Sequence, residues 1–197
     1  MTKENEFEYY NAFRVNDDSI PLLASDTGNP RYLYENHFIK DPELMLFKLS
    51  KPIPKNPKMA DYLMSDDAVI SKKIFDVLEP LDIAGVQFLP ARIKGKDDEV
   101  ITDYWAVHAY NEIKCVDEKL SDCKIEISGL GYVKKIVLDK KILREIPLKE
   151  RLIFRLKEDS AYVLFHASIV EKIMAVNPTG VKFTDIEKWN DGSYFEE

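Results

Sequence analysis

Six of the ten prolines fall before residue 58, at Pro21, Pro30, Pro42, Pro52, Pro54 and Pro57. Each removes a backbone donor and collides with the preceding helical turn, so the first third of the chain cannot hold a long helix. It is left to strands and loops. The run Phe7-Glu8-Tyr9-Tyr10-Asn11-Ala12-Phe13-Arg14-Val15 has strand composition, and Asp17-Asp18-Ser19 and Thr27-Gly28-Asn29-Pro30 read as turns. Leu44 to Leu49 offers a second strand. The alternation in Lys51-Pro52-Ile53-Pro54-Lys55-Asn56-Pro57 predicts an extended sheet edge, although a polyproline ligand has the same composition.

From Val69 the pattern changes. Val69-Ile70 reads as a short buried strand, Ser71 as an N-cap, and Ile74, Leu78 and Leu81 recur at helical spacing until Pro80 ends the helix. Gly85 then marks a turn into a strand with Val86 and Phe88 on one face. The same order returns near the C-terminus: Val163-Leu164-Phe165, a helix carrying Ile169, Ile173 and Val176, then Gly180-Val181-Lys182-Phe183. A shift of 95 residues lays Ile74 on Ile169, Leu78 on Ile173, Gly85 on Gly180 and Phe88 on Phe183. The alignment predicts an internally repeated strand–helix–strand unit over 69–89 and 164–184, against the alternative that any two amphipathic helices ending in glycine look alike.

Between the copies, Tyr104-Trp105-Ala106-Val107-His108-Ala109-Tyr110 alternates along a strand, Gly131 to Leu138 begins another, and Ile153-Phe154-Arg155-Leu156 adds one more. Strands outnumber helices and are unevenly spaced, which disfavours a regular parallel doubly wound sheet. The expected fold class is α+β, a mixed β-sheet with a few short helices. Residues 1–43 are expected as a strand-and-loop region packed on a main domain at 44–197.

A net charge of −7 opposes broad affinity for nucleic acid or anionic lipid, both polyanions, and favours a cationic partner. The start, Met1-Thr2-Lys3-Glu4-Asn5-Glu6-Phe7, lacks the basic and apolar regions of a secretory signal. No apolar run approaches the roughly 18 residues that a membrane-crossing helix needs. Cys115 and Cys123 therefore read as reduced thiols in a cytoplasmic protein.

Tests for bound groups and catalysis point the same way. Gly129-Leu130-Gly131 lacks the third glycine and the lysine of a phosphate cradle. His37, His108 and His166 are dispersed and the cysteines lie eight apart, so no metal and no cofactor is expected. Cys115 with His108 is the single nucleophile–base pair worth naming, and a strand histidine beside a packing cysteine explains it better. Nine Lys or Arg between Tyr132 and Lys157 alternate with apolar residues as a solvated face does. The chain is thus not expected to be an enzyme, and the alternative is an uncharacterised enzyme or nucleic-acid-associated factor in an unfamiliar fold. Asp97, Asp98, Glu99 and Asp103 supply acidic surface for a basic partner, and Tyr104 and Trp105 supply rigid anchors beside it. Two readings of these six stay open, since aromatic rings also build cores and acidic loops also keep proteins dissolved.

Several blocks taken together carry a resemblance: Leu49-Ser50-Lys51-Pro52-Ile53-Pro54, Gly85-Val86-Gln87-Phe88-Leu89-Pro90, the stretch from Tyr104 to Asp117, Ile153-Phe154-Arg155-Leu156, and Thr179-Gly180-Val181-Lys182-Phe183. From about Leu44 to Trp189 the chain resembles a family of bacterial immunity proteins associated with polymorphic toxin systems, the eleventh of the immunity series and formerly a domain of unknown function. The resemblance implies a protein that binds and neutralises a cognate toxin, and it brings no catalytic residues with it.

Overall fold

The structure is a computed structural model that describes residues 6–26, 32, 35–65, 68–126 and 129–190. The expected turn at Thr27 to Pro30 lies outside these residues. Among these residues two mixed sheets, a two-stranded hairpin and three short α-helices make the fold, which is α+β as expected.

The first sheet has the order β2–β3–β6–β7–β5–β4, from β2 (Leu23–Ser25), β3 (Met45–Leu49), β6 (Val86–Lys94), β7 (Val100–Ala109), β5 (Ala68–Ser71) and β4 (Tyr62–Met64). Its pairings are antiparallel except β3 with β6. The second sheet runs β13–β1–β12–β11–β8, from β13 (Val181–Asp185), β1 (Tyr9–Arg14), β12 (Asp159–His166), β11 (Ile153–Leu156) and β8 (Glu112–Ile113). A separate hairpin joins β9 (Asp122–Glu126) to β10 (Gly129–Lys135).

Helix α1 (Lys72–Leu78) follows β5 and buries Ile74 and Leu78; a turn of 3-10 helix at Glu79–Leu81 holds Pro80 where the helix must stop. Ser71 caps α1 by position, but its hydroxyl donates to Asp61 at 2.8 Å instead of to the helix. Helix α2 (Lys140–Glu145) is capped by Asp139, whose carboxylate accepts from two backbone amides. Helix α3 (Ala167–Met174) buries Ile169, Val170 and Ile173.

Residues 69–89 and 164–184 each run strand, helix, glycine, strand. Gly85 and Gly180 both take left-handed backbone, with φ of 77° and 86°. Helices α1 and α3 pack against one another in a core shared by both sheets, where Ile74 and Leu78 meet Ile169 and Ile173. The outer face of the first sheet buries Phe47, Leu89, Ile93 and Tyr104, and that of the second buries Tyr9, Phe154, Leu164 and Trp189.

The segment Lys51 to Pro57 forms no strand, against the edge expected from its alternation. Three of its seven residues are prolines, and Pro52, Pro54 and Pro57 cannot donate to a ladder. With Arg14, Pro21 and Leu22 it borders an open depression of about 330 Å³.

Candidate partner-binding surface

The β6–β7 hairpin carries all six residues expected to meet a partner. Its turn is closed by Gly95 N–H donating to Glu99 C=O at 2.9 Å, and Glu99 folds its side chain over Gly95, where a Cβ would lie 2.5 Å away. Asp98 occupies left-handed backbone at φ 60°, which short polar side chains tolerate. Asp97, Asp98 and Glu99 are exposed. The turn is not uniformly acidic, because Lys94 pairs with Asp98 at 2.9 Å and Lys96 donates to the Lys55 carbonyl at 2.6 Å. The hydrogen bond and charge of Asp98 hold the Lys94 ammonium above its ordinary pKa.

Asp103 is exposed at a bulge, since β7 spends one residue more than β6 between the pairs Ile101–Ile93 and Tyr104–Ala91. Its φ of 62° marks the irregularity. Beyond it the two aromatic residues part to opposite faces of the sheet, as successive strand residues must. Tyr104 is buried in the outer core and donates its hydroxyl to the Ala60 carbonyl at 3.0 Å. Burial, reinforced by the charge of Asp61, pushes its phenol up to about 12. Trp105 is half-buried and stacked on Phe75, with ring centroids 4.0 Å apart and planes 9° apart. The hairpin thus brings the four acids to the surface while Tyr104 faces inward and Trp105 faces α1.

Beside the turn lies a shallow depression of about 300 Å³ bordered by Leu46, Arg92, Lys94, Asp98 and Val100, with Asp26 at its rim. Val100 is 65% exposed, and Lys48 pairs with Asp26 at 2.9 Å. Opposite charges therefore alternate around two exposed apolar side chains. Sequence reasoning missed this depression because Asp26, Leu46 and Arg92 belong to three segments that only sheet pairing brings together.

The other chemistry suspected from sequence is buried. Cys115 is fully buried on the far side of the second sheet, and burial, with Glu158 and Asp139 adding to it, drives its thiol well above the ordinary range. A thiol so held is a poor nucleophile. His108 is also fully buried, and its Nε2 meets the His37 carbonyl at 3.0 Å. Burial comes first in lowering its pKa, and Arg155 adds to the effect. Gln87, beside it on β6, holds the same incoming loop by donating to the Ile39 carbonyl at 2.9 Å and accepting from the Ile39 amide at 3.0 Å. Among the described residues no helix is long and apolar enough to cross a membrane.

The fold defines an α+β protein whose exposed candidate chemistry sits on a strand hairpin. Residues 19–188 match the family described as Immunity protein family (Imm11), and the chain belongs to that family. Membership implies a toxin-neutralising role and a toxin as partner. No curated protein matches the chain.

Proposed function

We propose that this chain acts in the cytoplasm as the immunity protein of a polymorphic toxin system, neutralising one cognate toxin domain by direct binding and without catalysis. The observation that carries this reading is the family match over residues 19–188. Burial of Cys115 supports it, since the nucleophile of the one nucleophile–base pair that the sequence offered is held as an unreactive thiol.

In this reading the toxin is basic. A chain of net charge −7 attracts a cationic domain, and complementary charge raises association rates from about 10⁵–10⁶ to about 10⁸ M⁻¹s⁻¹ or more at low salt. Asp97, Asp98, Glu99 and Asp103 steer the approach, the Trp105–Phe75 stack offers a rigid aromatic edge, and Tyr104 fixes the strand behind it. Association with the toxin domain encoded beside this gene, measured at several salt concentrations, tests the proposal. Binding is expected to slow with salt, and to slow further when Asp97, Asp98 and Glu99 are changed to Ala. Salt-insensitive binding unaffected by the triple change removes the hairpin, whereas no binding at all removes the immunity mechanism.

A further inference from the structure

One interior strand of each sheet, β7 in the first and β1 in the second, occupies a matching place. In the first sheet β7 lies between β5 and β6: Tyr104 faces Ser71 and Ala91, Trp105 faces Ile70 and Pro90, and Ala106 faces Val69 and Leu89. In the second, β1 lies between β12 and β13: Tyr9 faces His166, Tyr10 faces Phe165 and Asp185, and Asn11 faces Leu164 and Thr184. Adding 95 to Ser71, Ile70, Pro90, Val69 and Leu89 gives 166, 165, 185, 164 and 184, and adding 95 to Tyr9, Tyr10 and Asn11 gives 104, 105 and 106. One offset therefore converts five of these six pairings of the first sheet into pairings of the second, and the sixth, Tyr104–Ala91, falls on Tyr9 and Ile186, where the Ile186 N–H donates to the Tyr9 C=O at 2.9 Å just beyond the ladder. The match continues to Val107–Phe88 against Ala12–Phe183, and to Ala109–Val86 against Arg14–Val181.

Burial alone does not impose this agreement. A strand can slip by two residues and keep the same faces inward, so each of these interior strands had several registers open to it on each side. Hydrogen bonds outside the ladders obey the same offset. Val15 N–H donates to Gly180 C=O at 3.1 Å and Tyr110 N–H to Gly85 C=O at 2.9 Å. Ser71 N–H donates to Asp61 C=O and His166 N–H to Leu152 C=O, with the second hairpin four residues longer: Ile70 pairs with Tyr62, and Phe165 with Ile153. Side-chain chemistry follows too. Glu8-Tyr9-Tyr10 lies on Asp103-Tyr104-Trp105, and both Tyr9 and Tyr104 are buried with bonded hydroxyls.

We infer that residues 6–94 and 101–189 are two copies of one unit, each completing the other's sheet with its own first strand. The chain is an intertwined pair made continuous by the hairpin at Gly95 to Glu99, with the α1–α3 contact at the centre of the pairing. The copies differ between first strand and hairpin: residues 15–61 add β2 and β3 outside β6, while residues 110–152 hold β8, α2 and the β9–β10 hairpin.

The test exchanges residues between equivalent positions of the intact chain. Tyr10→Trp with Trp105→Tyr, and the same pair combined with Ala12→Val and Val107→Ala, should each melt in one transition within about 5 °C of the parent. A displaced exchange of similar severity, Tyr10→Val with Val107→Tyr, should fall by more than about 10 °C. The milder aromatic pair reads the outcome even where the fourfold variant is too costly to fold. An equivalent exchange as damaging as the displaced one overturns the inference.

Discussion

Asp61 ties the start of α1 and its own loop to Thr179, 118 residues further along the chain. Its carboxylate accepts from the Ser71 hydroxyl at 2.8 Å, from the Thr179 amide at 2.8 Å and hydroxyl at 2.9 Å, and from Lys73 at 3.4 Å. Burial acts to raise its pKa, but these donors outweigh burial and hold it below the usual carboxylate value. Asp61→Ala should therefore cost about 1–3 kcal/mol at neutral pH, by stranding donors that the anion satisfied. A carboxyl whose folded pKa is depressed stabilises above its unfolded value and loses that contribution as pH falls through the folded one. The gap between parent and variant in urea denaturation should shrink below about pH 4. His108 works in the same direction at higher pH. Its folded pKa is lowered, so its neutral form supports the fold fully above about 6.5 and costs stability as pH falls below that value. Between pH 7.5 and 5 the parent should lose more stability than His108→Gln, and equal losses would show that His108 is not the group responsible. Neither role was legible in sequence: an aspartate before a strand and a histidine within one have no partners until the fold supplies Thr179 and the His37 carbonyl.

At the scale of elements, periodicity succeeded where one face is buried and failed where pairing is short. Ile74, Leu78, Ile169 and Ile173 announce α1 and α3 by spacing, and all four are nearly inaccessible. Leu78→Ala and Ile173→Ala should each cost about 2–5 kcal/mol in chemical denaturation, and a loss below 1 kcal/mol would contradict their place in the shared core. The glycine turns were legible for a related reason, because a helix that reverses into a strand needs left-handed backbone. Gly180→Ala should destabilise by about 1 kcal/mol or more, since its Cβ would stand 2.5 Å from the Tyr62 carbonyl oxygen at φ 86°. Strands β2, β4 and β8 span two or three residues each, too few for any alternation to show. The candidate surface was half legible. The acids at 97–99 read as an exposed turn from composition, but the pairing of Lys94 with Asp98 and the opposite facing of Tyr104 and Trp105 depend on sheet geometry.

Across the whole molecule, the second sheet takes its interior strand β1 from a distant part of the chain, and this makes a definite claim about cooperativity. Strand β1 begins at Tyr9 yet its neighbours begin at Asp159 and Val181, while β7 is held by strands from the first half. Neither sheet can open without freeing a strand that is covalently tied to segments of the other, and the core around α1 and α3 belongs to both. The two tryptophans report on the two sheets separately: Trp105 stacks on Phe75 beside the first, and Trp189 packs in parallel with Phe13 and edge-on to Tyr162 against the second. Single-tryptophan chains carrying Trp189→Phe or Trp105→Phe should each give a fluorescence midpoint that coincides with the midpoint from far-ultraviolet circular dichroism of the same chain. Coincidence in both variants is the mark of a two-state fold in which the sheets stand or fall together. A fluorescence transition that precedes the circular-dichroism transition in one variant alone would show that its sheet opens first, and the exchanged strands would then join the halves without coupling them.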